Sequence, residues 1–91
     1  MSVSVRIPTI LRSYTGGESE VSAEGKTLGA VIDDLEANYP GIKGRILDEQ
    51  GAIRRFVNVY VGNDDVRFLD ATDTATADGV QVSVIPAVAG G

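Results

Sequence analysis

The sequence predicts an α+β fold in which one main helix covers one face of a mixed sheet of four to five strands. Several short runs alternate between apolar and polar residues, which is the pattern of half-buried strands. One segment instead has its apolar residues at helical spacing. With 91 residues, 43% of them hydrophobic, the chain is long enough for one small domain with one modest core.

The chain begins with a predicted hairpin. Residues 2–7 alternate strictly, which places their apolar side chains on one face of a strand. Pro8 ends this strand because it has no amide N–H to donate to a neighbouring strand. The Gly16-Gly17 pair predicts a turn, and residues 18–23 form a weaker second strand. The two strands are therefore expected to pair across a long loop.

One helix is predicted after the hairpin. Thr27 is a favourable N-cap because its hydroxyl can accept a hydrogen bond from the first turn. The apolar residues that follow form one stripe: Leu28, Val31, Ile32 and Leu35. The helix ends near Asn38, before the Pro40-Gly41 pair that it cannot pass. Residues 41–52 are predicted to be a loop with room for one turn of helix.

The C-terminal half contains three predicted strands. Residues 56–61, FVNVYV, alternate clearly and predict a strand with its valines on one face. Residues 62–65 turn the chain back, and residues 66–69 are expected to form a short returning strand. The Asp78-Gly79 pair predicts another tight turn before the last strand, residues 80–85.

The first and last strands are apolar enough to lie side by side in the centre of the sheet. The element order is strand, strand, helix, strand, short strand, strand, which indicates an α+β roll of the β-grasp type. We therefore expect residues 1–86 to form the domain. Residues 87–91 are expected to form a flexible tail that projects from the sheet.

The composition excludes several function classes. The chain lacks cysteine, histidine and tryptophan, so a cysteine nucleophile, a histidine base and a Cys/His metal site are impossible. Because secreted domains of this size usually need disulfides, the lack of cysteine favours the cytoplasm. A net charge of −5 argues against nucleic acid as a partner. The N-terminus lacks the unbroken apolar run of a signal peptide or a membrane span.

The chain ends in PAVAGG, and this tail is the main candidate for function. Gly90 and Gly91 have no side chain, so their backbone fits a narrow channel where any Cβ would clash. In this interpretation the carboxylate of Gly91 is the reacting group, and Ala89 and Gly90 give it clearance. The alternative is an ordinary frayed terminus.

These features resemble the ubiquitin-like sulfur carriers of the ThiS/MoaD family, which include the molybdopterin-synthase small subunit and the thiamine-pathway carrier. The resemblance covers essentially the whole chain. It rests on the segments VSVRIPTILRSYTGG, TLGAVIDDLEANYPGI, RFVNVYVGNDDVRF and DGVQVSVIPAVAGG. Within the family, these segments are most similar to the CysO-type carriers of cysteine biosynthesis.

The resemblance implies that the chain is a protein co-substrate and not an enzyme. An ubiquitin-activating-like enzyme would use ATP to adenylate the carboxylate of Gly91, and sulfide or a sulfur relay would then form a thiocarboxylate. A pyridoxal-phosphate-dependent cysteine synthase would accept the sulfur, and a zinc metalloprotease would release the cysteine. ATP, pyridoxal phosphate and zinc would be bound by these partners, and the free carrier would be a monomer.

The resemblance also implies where the activating enzyme docks. Counted back from the tail, Ile85 and Leu69 match an apolar sheet patch of the molybdopterin relatives. Val82 and Val84 already supply one face of the last strand, so Ile85 is expected on the other face. The alternative is that Ile85 and Leu69 are ordinary core residues.

Other functions stay open beside this one. Pro86-Ala87 stands where molybdopterin carriers usually have two prolines, which weakens the molybdopterin assignment without removing it. The chain could also be an ubiquitin-like modifier joined through Gly91 to target lysines, or a passive interaction module. A hydrolase built on paired carboxylates such as Asp33-Asp34 is disfavoured because adjacent side chains point apart.

Overall fold

The computed structural model describes residues 2–86, and the predicted tail, residues 87–91, lies outside them. In chain order the regular elements are β1 (Ser2–Arg6), β2 (Glu20–Glu24), α1 (Leu28–Asn38), α2 (Lys43–Ile46), β3 (Val57–Val61), β4 (Asp64–Asp65) and β5 (Gln81–Pro86). Short 3-10 helices lie in the connections, at Thr9–Tyr14, Val66–Phe68 and Ala71–Asp73.

The strands form one five-stranded mixed sheet in the order β2-β1-β5-β3-β4. β1 and β5 run parallel at its centre, with Val5 opposite Val82, and the remaining pairs are antiparallel. Parallel neighbours need a long crossover, and here that crossover contains all the other elements. The expectation that the first and last strands lie side by side is confirmed, as is the β-grasp architecture.

The core lies between α1 and one face of the sheet. The apolar stripe of the helix is buried as predicted: Leu28, Val31, Ile32 and Leu35. The facing side chains of the sheet are also buried: Val3, Val5, Val21, Ala23, Val57, Val59, Val82 and Val84. The apolar stripe of the helix and the apolar face of the strands therefore pack into one shared layer.

Both ends of α1 have the predicted local causes. The Thr27 hydroxyl oxygen accepts a hydrogen bond from the N–H of Ala30 at 3.2 Å, as an N-cap should. The helix ends at Asn38, just before Pro40, and α2 is the single helical turn expected in the loop that follows. Within residues 2–86, no helix is long and apolar enough to cross a membrane.

The predicted returning strand at residues 66–69 is wrong. In the segment from Asp64 to Leu69, only Asp64–Asp65 pairs with β3, and Val66–Phe68 forms a 3-10 helix. The carboxylate of Asp65 accepts a hydrogen bond from the N–H of Arg67 at 2.9 Å. This local bond caps the 3-10 helix and offers the backbone an alternative to the strand ladder.

The long connection between β1 and β2 contains a 3-10 helix, Thr9–Tyr14, that the sequence patterns did not predict. Pro8 precedes it and has the extended backbone of an N-cap, and Leu11 is its buried anchor. The Thr15 hydroxyl then donates to the carbonyl oxygen of Glu18 at 2.8 Å. β2 consequently begins at Glu20 and not at residue 18.

The carboxylate of Glu36 ties α1 to α2. It accepts hydrogen bonds from the N–H of Gly41 at 3.0 Å and from the N–H of Lys43 at 2.9 Å. These backbone bonds favour the charged form and hold the pKa of Glu36 below its ordinary value.

We expect Glu36→Gln to lower the melting temperature at neutral pH and to lower it less in acid. Because the folded-state pKa lies below the unfolded-state pKa, the charged carboxylate stabilises the fold above the unfolded-state value. That contribution is lost as the pH falls through the folded-state value. Thermal unfolding from neutral pH down to about pH 3 measures the difference between the two proteins.

The control for this experiment is Glu49→Gln. Within residues 2–86, the side chain of Glu49 accepts no hydrogen bond, so its replacement removes a similar charge without breaking a link between the helices. A melting-temperature difference with the same pH profile for both variants would contradict the role of the Glu36 carboxylate in tying α1 to α2.

Candidate functional site at the end of the last strand

The chain leaves the sheet at its centre. β5 lies between β1 and β3, and Pro86 is the last residue of β5, opposite Val57. Because β1 and β5 are parallel, their carboxyl ends lie at the same end of the sheet. The predicted tail residues Ala89, Gly90 and Gly91 lie outside the described residues, and their roles stay predictions.

Ile85 lies on the face of the sheet that points away from α1. Its neighbour Val84 is buried in the core, whereas the side chain of Ile85 is 48% exposed. Across the ladder, Ile85 lies opposite Asn58 of β3. The alternative that Ile85 is a core residue is therefore wrong. Its role in docking stays a prediction.

Leu69 is also 48% exposed, but it lies outside the sheet. It is the C-cap of the 3-10 helix Val66–Phe68. The guanidinium group of Arg67 donates to the side-chain oxygen of Asn58 at 2.7 Å and so ties this helix to β3. Asn58 in turn lies opposite Ile85 in the β3–β5 ladder. The docking role of Leu69 stays a prediction as well.

Sequence reasoning did not single out three other exposed apolar residues: Ile10, Phe56 and Phe68. Ile10 and Phe68 belong to 3-10 helices, which are too short to show a repeat that separates a buried face from an exposed one. For Phe56 a signal was available, since it alternates with the buried Val57 and therefore points to the other side.

An open groove of about 420 Å³ lies beside the point where the chain leaves the sheet. We call it the exit groove. It is formed by the end of β1, the 3-10 helix Thr9–Tyr14 and the end of β5. Its apolar lining consists of Ile7, Pro8, Ile10, Val84, Ile85 and Pro86. The groove joins residues from the two ends of the chain, so no single sequence segment could reveal it.

The adjacent carboxylates have structural partners. Asp33 forms an ion pair with Lys43, and Asp34 accepts a hydrogen bond from the N–H of Glu24. Asp48 likewise accepts from backbone N–H groups of its own turn. Within residues 2–86, no group of three or more acidic side chains is arranged to hold a metal ion. The carboxylate pairs therefore give no support to a hydrolase.

Comparison with known proteins assigns this arrangement to a family. The sequence model of the ThiS family matches residues 5–91. The chain is 59% identical to the sulfur carrier protein CysO of Mycobacterium tuberculosis over 93 aligned positions, which cover 100% of both chains. It is also 46% identical to the small archaeal modifier protein 3 of Haloferax volcanii over 65 positions, which cover 71% of this chain and 70% of that protein.

Solved structures have the same fold. The crystal structure of M. tuberculosis CysO matches with a TM-score of 0.91 at 58% identity, and the match covers 94% of this chain and 99% of that chain. A chain of the BexX/CysO complex of Amycolatopsis orientalis matches with a TM-score of 0.92 at 48% identity, over 98% of this chain and 99% of that chain.

Proposed function

We propose that this chain, which belongs to the ThiS family, carries sulfur as a thiocarboxylate on Gly91 and donates it in the biosynthesis of cysteine or another sulfur metabolite. The observation that carries this proposal is the 59% identity to the sulfur carrier protein CysO over the full length of both chains. The chain acts as a co-substrate of partner enzymes, and the terminal carboxylate is its reacting group.

The carboxylate needs activation because sulfide cannot displace an oxide ion from it. An oxygen of the carboxylate attacks the α-phosphorus of ATP, which releases pyrophosphate and forms an acyl adenylate. The hydrosulfide ion then attacks the carbonyl carbon, the bond to the AMP oxygen breaks, and AMP leaves with the electron pair. The S–H proton passes to solvent and a thiocarboxylate remains. No atom changes its oxidation state, so this route needs no oxidant or reductant.

The remaining chemistry belongs to partners. The chain has no cysteine on which a persulfide could form. From the resemblance to this family, we assign ATP to an ubiquitin-activating-like enzyme, pyridoxal phosphate to a cysteine synthase that accepts the sulfur, and zinc to a metalloprotease that frees the product. The BexX/CysO complex supports a function through partners, because a similar carrier is found there bound to another protein.

We assign Ile85 and Leu69 to the surface that meets the activating enzyme. Both are large, apolar and half exposed, and Ile85 directly precedes the last residue of β5. An exposed apolar side chain beside the reacting tail is favourable for a partner to cover, since burial removes its apolar area from water.

Ile85→Asp is expected to slow adenylation about tenfold or more, because a charged side chain would lose the desolvated contact with the enzyme. Thermal unfolding should stay cooperative, since the residue lies outside the core. The matched control is Ser22→Asp. It adds the same charge to the same face of the sheet, but on the edge strand β2, two strands away from β5. Equal adenylation rates for the two variants would remove Ile85 from the docking surface.

A second candidate function is attachment to other proteins. The 46% identity to the small archaeal modifier protein 3 of H. volcanii favours it. In this case the activated carbonyl carbon of Gly91 would be attacked by a lysine amine of a target and would form an isopeptide bond. The two functions share the adenylation step and differ in the nucleophile that follows.

The test is to incubate the chain with ATP, sulfide and the adenylating enzyme of the organism that makes it, and then to measure the intact mass. A sulfur carrier gains the mass difference between sulfur and oxygen, and fragmentation places this gain on Gly91. A chain whose mass never changes is not a sulfur carrier. Isopeptide products with cellular proteins, formed without a thiocarboxylate, would support the modifier function instead.

A further inference from the structure

The exit groove has an apolar floor and an exposed apolar rim. Ile7 and Val84 are buried at its base, while Ile10, at 69% exposed, and Ile85 stand at its sides. Pro86, the last residue of β5, also lines the groove. A concave surface of this kind can receive an apolar side chain, and covering Ile10 and Ile85 together would remove a contiguous apolar area from water.

Two arginines flank this apolar surface. Arg6, at the end of β1, and Arg12, in the 3-10 helix, both line the groove. Among residues 2–86 its lining includes no carboxylate side chain, although Glu20 of β2 lies opposite Arg6 in the strand ladder. The Nε of Arg12 donates to the carbonyl oxygen of Ile7 at 3.2 Å, which holds its guanidinium group beside the groove. Within residues 2–86, neither arginine forms an ion pair.

The charge of the groove is opposite to that of the chain as a whole. The chain has 13 acidic and 8 basic residues and a net charge of −5. The described lining of the groove, with two guanidinium groups and no carboxylate, is therefore positively charged in an otherwise acidic molecule. Its field favours a segment that carries negative charge, and guanidinium groups bind carboxylates with two parallel hydrogen bonds.

The groove also lies at the point where β5 ends and the tail begins. Ile85 and Pro86 belong both to its lining and to the end of β5, from which the tail continues. An enzyme that receives the tail must approach this end of the sheet. The groove is therefore continuous with the surface that the proposed function assigns to docking.

We propose that the exit groove binds a segment of the adenylating enzyme in which an apolar side chain is flanked by carboxylates. The apolar side chain inserts between Ile10 and Ile85, and the carboxylates pair with Arg6 and Arg12. The proposal rests on the proposed function for the identity of the partner. It adds a contact made by the N-terminal part of the chain, which fixes the direction in which the tail enters the enzyme.

The experiment measures binding of the full chain to the adenylating enzyme by calorimetry in the absence of ATP. We expect Ile10→Ala and Arg6→Ala each to weaken binding about tenfold. The first variant removes an apolar contact with the enzyme segment, and the second removes an ion pair with one of its carboxylates. Ile10 and Arg6 are both exposed, so thermal unfolding of the variants should match that of the original chain. That measurement separates a loss of contact from a loss of fold.

The matched control for charge is Lys26→Ala. Lys26 is exposed and, within residues 2–86, forms no ion pair, so this variant removes one positive charge away from the groove. It should bind like the original chain. Raising the salt concentration should reduce the difference in affinity between Arg6→Ala and the original chain, because salt screens the attraction between arginine and carboxylate. It should not change the loss of affinity caused by Ile10→Ala.

The two proposals fail separately. If the Ile10 and Arg6 variants bind as tightly as the original chain, or no more weakly than Lys26→Ala, the groove proposal is overturned, whatever the mass measurement shows. If binding depends on the groove but the chain never gains sulfur, the groove proposal stands and the sulfur-carrier function is wrong. If the enzyme loads Gly91 with sulfur and binds both variants as tightly as the original chain, the sulfur-carrier function stands and the groove has no part in it.

Discussion

Gly90→Val is expected to abolish the loading of sulfur on Gly91. A β-branched side chain adds bulk next to the reacting carbonyl and restricts the backbone of the tail, and both effects oppose entry into a channel shaped for glycine. Adding one residue after Gly91 should have the same effect, because it moves the carboxylate by about 3.3–3.6 Å along an extended chain. A displacement of that size is expected to slow the reaction more than about 100-fold.

Intact-mass spectrometry after incubation with ATP, sulfide and the adenylating enzyme measures this effect directly. Gly44→Val is the matched control, because a Cβ at Gly44 would meet no atom within 4 Å and the residue lies in α2, away from the tail. This control should load at the normal rate. If Gly90→Val loads as fast as the control, the narrow-channel interpretation of the tail is wrong.

Leu35→Ala should destabilise the fold by about 2–5 kcal/mol, since it removes a large apolar side chain from the core and leaves a cavity. Leu35 is 1% exposed and lies on the face of α1 that packs against the sheet. Small domains have a total stability of about 5–15 kcal/mol, so this single change would consume a large part of it. Denaturant or thermal unfolding gives the value.

Leu69→Ala is the control for that measurement, because it makes the same chemical change where the side chain is half exposed. Its cost should be about 1 kcal/mol or less. Equal losses for the two variants would mean that the burial of Leu35 contributes no more than that of a surface leucine, which would contradict the assigned core.

Strands β1, β3 and β5 and helix α1 could be predicted because each repeats its pattern over a whole buried face. Alternation in residues 2–7 and the stripe that begins at Leu28 leave one face apolar, and that face must be covered. The same reasoning placed Ile85 on the outer side of β5, because its neighbour Val84 points inward.

The segment around Val66 could not be predicted in this way. Alternation over residues 66–69 is too short to separate a strand from a 3-10 helix. The choice depends on the hydrogen bond between Asp65 and the N–H of Arg67 and on the contact of Arg67 with Asn58. The contact of Arg67 with Asn58 joins the 3-10 helix to β3, so no local sequence pattern could predict it.

The sequence alone determined the β-grasp order of elements and the lack of cysteine and histidine, whereas the role of the terminal glycines stays a prediction. These properties are local, because a period or a composition is carried by neighbouring residues. The exit groove is different in kind. It exists because β1 and β5 pair in parallel, which brings Arg6 and Ile10 beside Ile85 from the opposite end of the chain. The shape of the groove and the charges that line it depend on contacts between residues far apart in the sequence, and these contacts exist only in the folded chain.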